Sequence, residues 1–219
     1  MEKKEPGFFR RNGLSIVILA CMLLALAGQI VSGHLVYNSE LEKTGGETLT
    51  LGQYLMSGHF VAATFENWES EFLQMGMYVL LSVSLRQKGS AESRPLDPSQ
   101  EQTRVEKGAT PWPVRRGGIW KSLYGHSLSI AFALLFLASF LIHLDGSWRR
   151  DVVERQLRGE QPLPLLDYLA SSQFWFESFQ NWQSEFLAVG SLVVLSIWLR
   201  QEDSPQSKPL HAPHSQTGT

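Results

Sequence analysis

Two glutamates, Glu71 and Glu185, have the clearest chemical potential, because each lies a few residues inside the start of an apolar run. A carboxylate at membrane depth is costly and usually faces protein or water. The pair could face each other and bind a cation or relay a proton. A structural role is the favoured alternative, in which each lies at the interface and pairs with a loop arginine such as Arg149 or Arg155.

Both glutamates belong to a nine-residue motif that the chain contains twice, FENWESEFL at 65–73 and FQNWQSEFL at 179–187. Asn67 and Asn181 lie one helical turn before the glutamates, so a hydrogen bond within the helix is a further structural role. Trp68 and Trp182 could line a ligand cleft. Interfacial anchoring is favoured, because an indole ring is apolar while its N–H can stay wet.

The motif is part of a longer correspondence, in which residues 114 positions apart match without a gap over about 80 residues. A constant offset of this length indicates an internal duplication. We expect an all-α integral membrane protein of four spans, built from two tandem two-helix repeats. Because each repeat crosses twice, both insert in the same direction, with a pseudo-twofold axis along the membrane normal.

The predicted spans come from apolar runs long enough to cross about 30 Å of hydrocarbon. They are residues 14–36, 62–85, 123–144 and 176–199, with repeat 1 at 12–87 and repeat 2 at 122–201. The second and fourth spans must borrow length from their amphipathic halves, because the apolar part of the second is only about 14 residues long. Residues 37–56 and 145–166 are predicted to be loops.

The remaining segments are an N-terminus (1–11), a linker (88–121) and a tail (202–219). Proline with serine, glutamine and charged residues predicts disorder in the linker and tail. Arg10 and Arg11 before an apolar run, with Cys21 inside it, also suit a cleaved signal peptide. A retained span is favoured, because the run continues past Cys21 and its repeat partner lies mid-chain.

Orientation follows from the lysines and arginines, of which about 14 fall on the inner segments and about five on the outer loops when the N-terminus is inside. The positive-inside rule therefore places both termini and the linker in the cytoplasm. The net charge of −2 gives no indication of a nucleic-acid partner.

Structural roles are favoured for the other candidate residues. Gly76 and Gly190 are predicted to allow close helix packing. His143 beside Asp145 would suit a pH-sensing pair, but the repeat partner of His143 is Gln29, so the duplication does not support it. In the tail, His211 and His214 are spaced like weak metal ligands, but a solvated tail without a metal is favoured.

The sequence does not contain a residue arrangement that is typical of a catalytic site. Ser70 and Ser184 adjoin carboxylates, but neither repeat offers a histidine or lysine at a fixed spacing to act as base. The single cysteine excludes an intrachain disulfide and a Cys-based metal site. We therefore expect no enzyme activity, no cofactor and no metal.

The duplicated motif, with Leu-Arg-Gln after each apolar run and the closing segments 207–209 and 212–214, resembles a family of small bacterial multi-pass membrane proteins. That family is catalogued as a domain of unknown function. The resemblance implies a bacterial inner membrane and four helices, and it supplies no activity, ligand or functional residue.

The leading functional hypothesis is a non-enzymatic membrane scaffold or accessory protein, whose partners are the lipid bilayer and a second copy or another membrane protein. The alternative is a small channel or carrier for protons, cations or a small solute that uses Glu71 and Glu185. An intramembrane enzyme is a third, disfavoured hypothesis. Carboxylates that converge on a wet cavity would favour transport, and carboxylates turned outward or capped by neighbours would favour the scaffold.

Overall fold

The computed structural model describes residues 7–101, 105 and 108–218, which form eight α-helices and one 3-10 helix and contain no strand. The helices are α1 (Phe8–Thr44), α2 (Leu51–Leu55), α3 (Gly58–Ser84), α4 (Trp112–Arg116), α5 (Gly118–Gly125), α6 (Ser127–Leu157), α7 (Leu165–Leu169) and α8 (Ser172–Leu195), with the 3-10 turn at Pro98–Gln100. The all-α prediction is confirmed. Residues 1–6 of the predicted N-terminus, residues 102–104 and 106–107 of the predicted linker and residue 219 of the predicted tail lie outside the described residues.

Two of the described helices, α1 and α6, are long and apolar enough to cross a membrane. None of the apolar window of α1 is buried, and 17% of that of α6 is. The sequence predicts four such helices, and this is where the structure differs. Helices α3 and α8 are long enough at 27 and 24 residues, but they begin with polar halves that dilute their apolar ends.

The two apolar helices run further than their predicted spans, so much of the predicted loops 37–56 and 145–166 is helical. Helix α1 ends where Gly45 adopts a left-handed conformation (φ 78°) and donates its N–H to the carbonyl of Glu42. The extension of α6 carries ion pairs one turn apart, including Arg155 with Asp151 at 2.7 Å. Such pairs stabilise a solvated helix that an apolar pattern alone does not predict.

The described chain divides into two compact units, one of Met1–Ala63 with Asp145–Leu165 and the other of Thr64–Leu144 with Leu166–Thr219. In the first unit, the Tyr54 side chain is 1% exposed and packs against the rings of Tyr37 and His59. Gly33 makes room for this tyrosine, since a Cβ there would collide with its hydroxyl. Burial of the imidazole lowers the pKa of His59.

Helices α3 and α6 cross closely within the first unit. A Cβ at Gly58 would lie 2.5 Å from the backbone nitrogen of Arg150, and one at Gly146 would lie 2.6 Å from that of Ala62. The obstacle in both cases is backbone, which cannot swing aside as a side chain can. These two glycines therefore set the distance between the two helices, as small residues do in membrane helix pairs.

In the second unit, α3 and α8 both run antiparallel to α6. Along α3, Glu69 contacts His143, and Gly76 approaches Phe132 so closely that a Cβ would lie 3.3 Å from its Cβ. Along α8, the ring of Phe174 stacks on His143 at 5.0 Å, and Trp182 meets Phe136 at 6.4 Å. The apolar half of α3 and the first half of α8 therefore lie alongside the apolar window of α6.

The tail is anchored by Lys208, whose side chain is 2% exposed. Its ammonium has three N–H donors and lies within hydrogen-bonding distance of five backbone carbonyls, at Gly89 in the linker, at Ile197 (3.3 Å), and at Pro213 (3.5 Å), His214 (3.0 Å) and Gln216 (3.0 Å) in the tail itself. Burial lowers the pKa of Lys208, and the charge of Arg200 lowers it further.

Part of the predicted linker is likewise held by defined contacts. Ser90 shares a hydrogen bond of 2.9 Å with Ser196, and the Arg116 guanidinium lies over the rings of both Trp112 and Trp120. A few specific polar bonds of this kind can hold a segment that has no apolar pattern. The predicted boundaries between segments stay predictions.

Candidate functional site

The two glutamates selected from the sequence do not converge on an enclosed site. Glu71 is exposed and Glu185 is half-buried, although their charges act on each other. The neighbour that caps this region is Gln74, whose amide donates to the backbone carbonyl of Glu185 at 2.9 Å.

The asparagines and tryptophans of the two motif stretches make two contacts in common. Trp68 packs edge-on against Phe65 at 5.0 Å, and Trp182 packs in the same way against Phe179 at 5.4 Å. The backbone carbonyls of Asn67 and Asn181 each accept a hydrogen bond from the serine three residues later. Trp182 and Asn181 also turn their N–H groups toward carboxylates of α3.

The centre of the candidate site is an ion pair between Glu69 of α3 and His143 of α6. The imidazole Nδ1 lies 2.7 Å from one carboxylate oxygen of Glu69, and both side chains are fully buried. The indole N–H of Trp182 donates to the other carboxylate oxygen at 2.9 Å. Three helices therefore meet at one buried carboxylate, whose two oxygens are both bonded.

A pairing of His143 with Asp145, which the sequence analysis disfavoured, does not occur in the structure. His143 faces Glu69, whereas Asp145 is more than half exposed and pairs with Arg149 one turn later on α6 at 3.0 Å. The reason is helical geometry, because residues two positions apart on an α-helix point in different directions. The buried partner of a helical histidine comes from another helix.

The aromatic side chains beside the ion pair keep it dry. Phe174 is fully buried, stacks on the imidazole of His143, and meets Phe140 and Tyr168 edge-on. It lies in the first turn of α8, which Ser171 caps by accepting a hydrogen bond from the Phe174 N–H. The cap therefore fixes the position of the Phe174 ring, which forms part of the wall of the site.

A second layer of carboxylates faces the imidazole. One carboxylate oxygen each of Glu66 and Glu177 and one ring nitrogen of His143 all lie within 4.8 Å of one another. Asn181 donates its amide to Glu66, and Gln173 donates to Glu177 at 2.7 Å. Two carboxylates and an imidazole at this separation are a donor set that suits a divalent metal, which the sequence does not predict.

The hydroxyls of the serines next to the glutamates bond their own helices. The Ser70 hydroxyl donates to the carbonyl of Asn67, and the Ser184 hydroxyl to that of Asn181, each at 2.8 Å. Such a bond gives a backbone carbonyl a second partner within the helix.

Comparison with known proteins places the chain in a family. The family described as a domain of unknown function, DUF6766, matches residues 5–219. The chain belongs to the DUF6766 family. No curated protein matches the chain, and no solved structure does.

Some residues of the site in this DUF6766 protein were candidates from the sequence, namely His143, Asn181 and Trp182. The carboxylates of the site were not singled out, and they do not recur at the offset of 114 residues that relates the two motif stretches. Glu66, Glu69 and His143 correspond to Gln180, Gln183 and Gln29. A signal for Glu66 and Glu69 was present in the sequence. Each is a glutamate where the other, otherwise matched motif stretch has a glutamine.

Proposed function

We propose that this DUF6766 protein is a multi-pass protein of the bacterial inner membrane with a non-enzymatic scaffold or accessory role. The observation that carries the proposal is the exposure of the apolar windows of α1 and α6, which offers large apolar surfaces to lipid or to a partner helix. The outward position of Glu71 and the capped polar groups of the second unit add support.

We further propose that α3 and α8 cross the membrane beside α6, giving four spans. Their low average hydropathy arises from polar halves, and several of those polar groups bond one another at Glu69, His143 and Trp182. A polar group satisfied within the protein costs far less in lipid than one that faces it. The antiparallel register with α6 supports the same arrangement, because helices packed side by side share the same depth.

The duplication is part of this proposal, and local details support it. Helix α7 begins and ends 114 positions after α2, and α8 begins 114 positions after α3. His34 and Trp148, which correspond, each place a ring nitrogen within 2.8 Å of the carbonyl of a leucine 15 residues later. Ser93 and Ser207, which also correspond, each accept the N–H of the glutamine six residues earlier at 2.9 Å.

The scaffold role is tested against transport by flux in proteoliposomes. We expect no proton or monovalent-cation flux above that of empty liposomes, for the wild type and for the Glu71→Gln/Glu185→Gln double variant alike. We also expect energy transfer between donor- and acceptor-labelled copies at lipid dilutions where random proximity gives none. Flux that disappears in the folded double variant would overturn the scaffold proposal in favour of a channel or carrier, and absence of association would remove self-assembly from it.

A further inference from the structure

His143 makes one hydrogen bond where an imidazole can make two. Its Nδ1 is held by Glu69, and its Nε2 is buried without a hydrogen-bond partner among the residues that the structure describes. The side chain is fully buried, so bulk water does not reach it. A buried polar atom without a partner is costly, and native proteins retain one where it serves a ligand or a water.

Two carboxylates lie close to a ring nitrogen of His143. The ligand atoms of Glu66, Glu177 and His143 are within 4.8 Å of one another. Oxygen and nitrogen ligands bind zinc at about 2.0–2.2 Å, so two ligands on opposite sides of one ion are at most about 4.4 Å apart. Small rotamer adjustments in Glu66 and Glu177, which are only partly buried, are enough to close the site.

The groups around the three ligands already have the arrangement that metal sites use. A metal-bound histidine usually donates its other ring N–H to a carboxylate, which fixes its tautomer, and Glu69 occupies that position on His143. Glu69 is in turn held by Trp182, while Asn181 and Gln173 orient Glu66 and Glu177. Every carboxylate of the cluster is therefore oriented by a donor from α8.

Charge favours a dication at the same point. Three carboxylates, of Glu66, Glu69 and Glu177, lie around one imidazole at the buried junction of three helices. Carboxylates this close together repel one another in a medium of low dielectric. A divalent cation offsets most of that charge, and its binding free energy compensates for the cost of burying the carboxylates.

We propose that Glu66, His143 Nε2 and Glu177 bind one divalent transition-metal cation, with Glu69 as the residue that positions His143. An imidazole with two carboxylates and no thiolate suits Zn²⁺ or Mn²⁺ over soft ions. Three protein ligands leave at least one coordination position for water. The site rests on different observations from the scaffold role and does not depend on it.

The test is metal binding by the full-length protein, purified in detergent without a histidine tag and stripped with a chelator. Zn²⁺ and Mn²⁺ are titrated by calorimetry, bound metal is counted by mass spectrometry, and Mn²⁺ binding is followed by loss of the free-ion paramagnetic resonance signal. We expect one ion per chain and a metal-dependent rise in Tm. Absence of stoichiometric binding to the wild type by either ion would overturn the proposal, whatever the variants do.

The variants separate ligands from bystanders. Glu66→Gln and Glu177→Gln change partly buried residues, and each is expected to abolish the Tm rise and to weaken binding by 100-fold or more. Glu69→Gln is expected to weaken it about 10–100-fold, the usual effect of losing the group behind a histidine ligand. Glu71→Gln/Glu185→Gln and His211→Gln/His214→Gln serve as controls and should leave both readouts unchanged. Loss of binding in the tail variant, or its retention in both ligand variants, would show that the ion binds elsewhere.

Discussion

Replacing Glu69 with leucine is expected to be among the most destabilising single substitutions in this protein. The change leaves His143 buried without its carboxylate and removes the acceptor of the Trp182 indole N–H. Breaking a buried ion pair by removing one partner typically costs about 3–5 kcal/mol. The measurement is the Tm of the detergent-solubilised protein with the fraction that elutes as folded protein, in the absence of added metal.

Glu71→Leu is the matched control, because it removes a carboxylate two positions away on α3 that is exposed. It is expected to change the Tm little. The double variant Glu69→Leu/His143→Leu is expected to recover part of the loss, since two apolar side chains leave no buried polar group unpaired. If Glu71→Leu proves as harmful as Glu69→Leu, the ion pair does not hold these helices together.

The second large effect is expected from Gly146→Leu. A Cβ at Gly146 would lie 2.6 Å from the backbone nitrogen of Ala62 and 2.8 Å from a methyl carbon of Val61. A leucine there forces α3 and α6 apart, and such overpacking typically costs about 1–3 kcal/mol or more where backbone must move. We expect a lower Tm and a smaller folded fraction than in the wild type.

Gly190→Leu is the control for this substitution, because a Cβ at Gly190 meets nothing within 4 Å. Leucine favours helix over glycine by about 1 kcal/mol, so this variant is expected to be neutral or slightly stabilised. Equal losses from the two variants would show that glycine is needed for a general reason, and the close crossing at Gly146 would not explain the result.

The glycines show which close helix contacts could be predicted from the sequence and which could not. The sequence selected Gly76 and Gly190 because they correspond in the two copies, and the structure places Gly76 against Phe132 while Gly190 faces open space. The closest crossing uses Gly58 and Gly146, which lie at the polar ends of the apolar runs. Which glycine meets another helix depends on the crossing point, and an apolar pattern gives no information about it.

The helices themselves were largely predictable, since long apolar runs and the amphipathic motif gave α1, α3, α6 and α8 with shifts at their ends. The polar site was not predictable from the sequence, because it depends on the rotation of three helices about their axes. Glu69 and Glu71 are two residues apart in one motif, yet one is fully buried and the other exposed. Successive residues are rotated by about 100° around the helix axis, so the packing of α3 against its neighbours decides which of the two glutamates is buried.

The four-span arrangement is tested most directly by the sidedness of the linker and the tail. In a Cys21→Ser background, single cysteines are introduced at the exposed positions Glu47, Ser99 and Ser215 and are labelled with an impermeant maleimide in sealed inner-membrane vesicles of known orientation. We expect Ser99→Cys and Ser215→Cys to react from the cytoplasmic face and Glu47→Cys from the opposite face. Labelling of Ser99→Cys and Ser215→Cys from opposite faces would contradict the account, because only α1 and α6 would then cross the membrane.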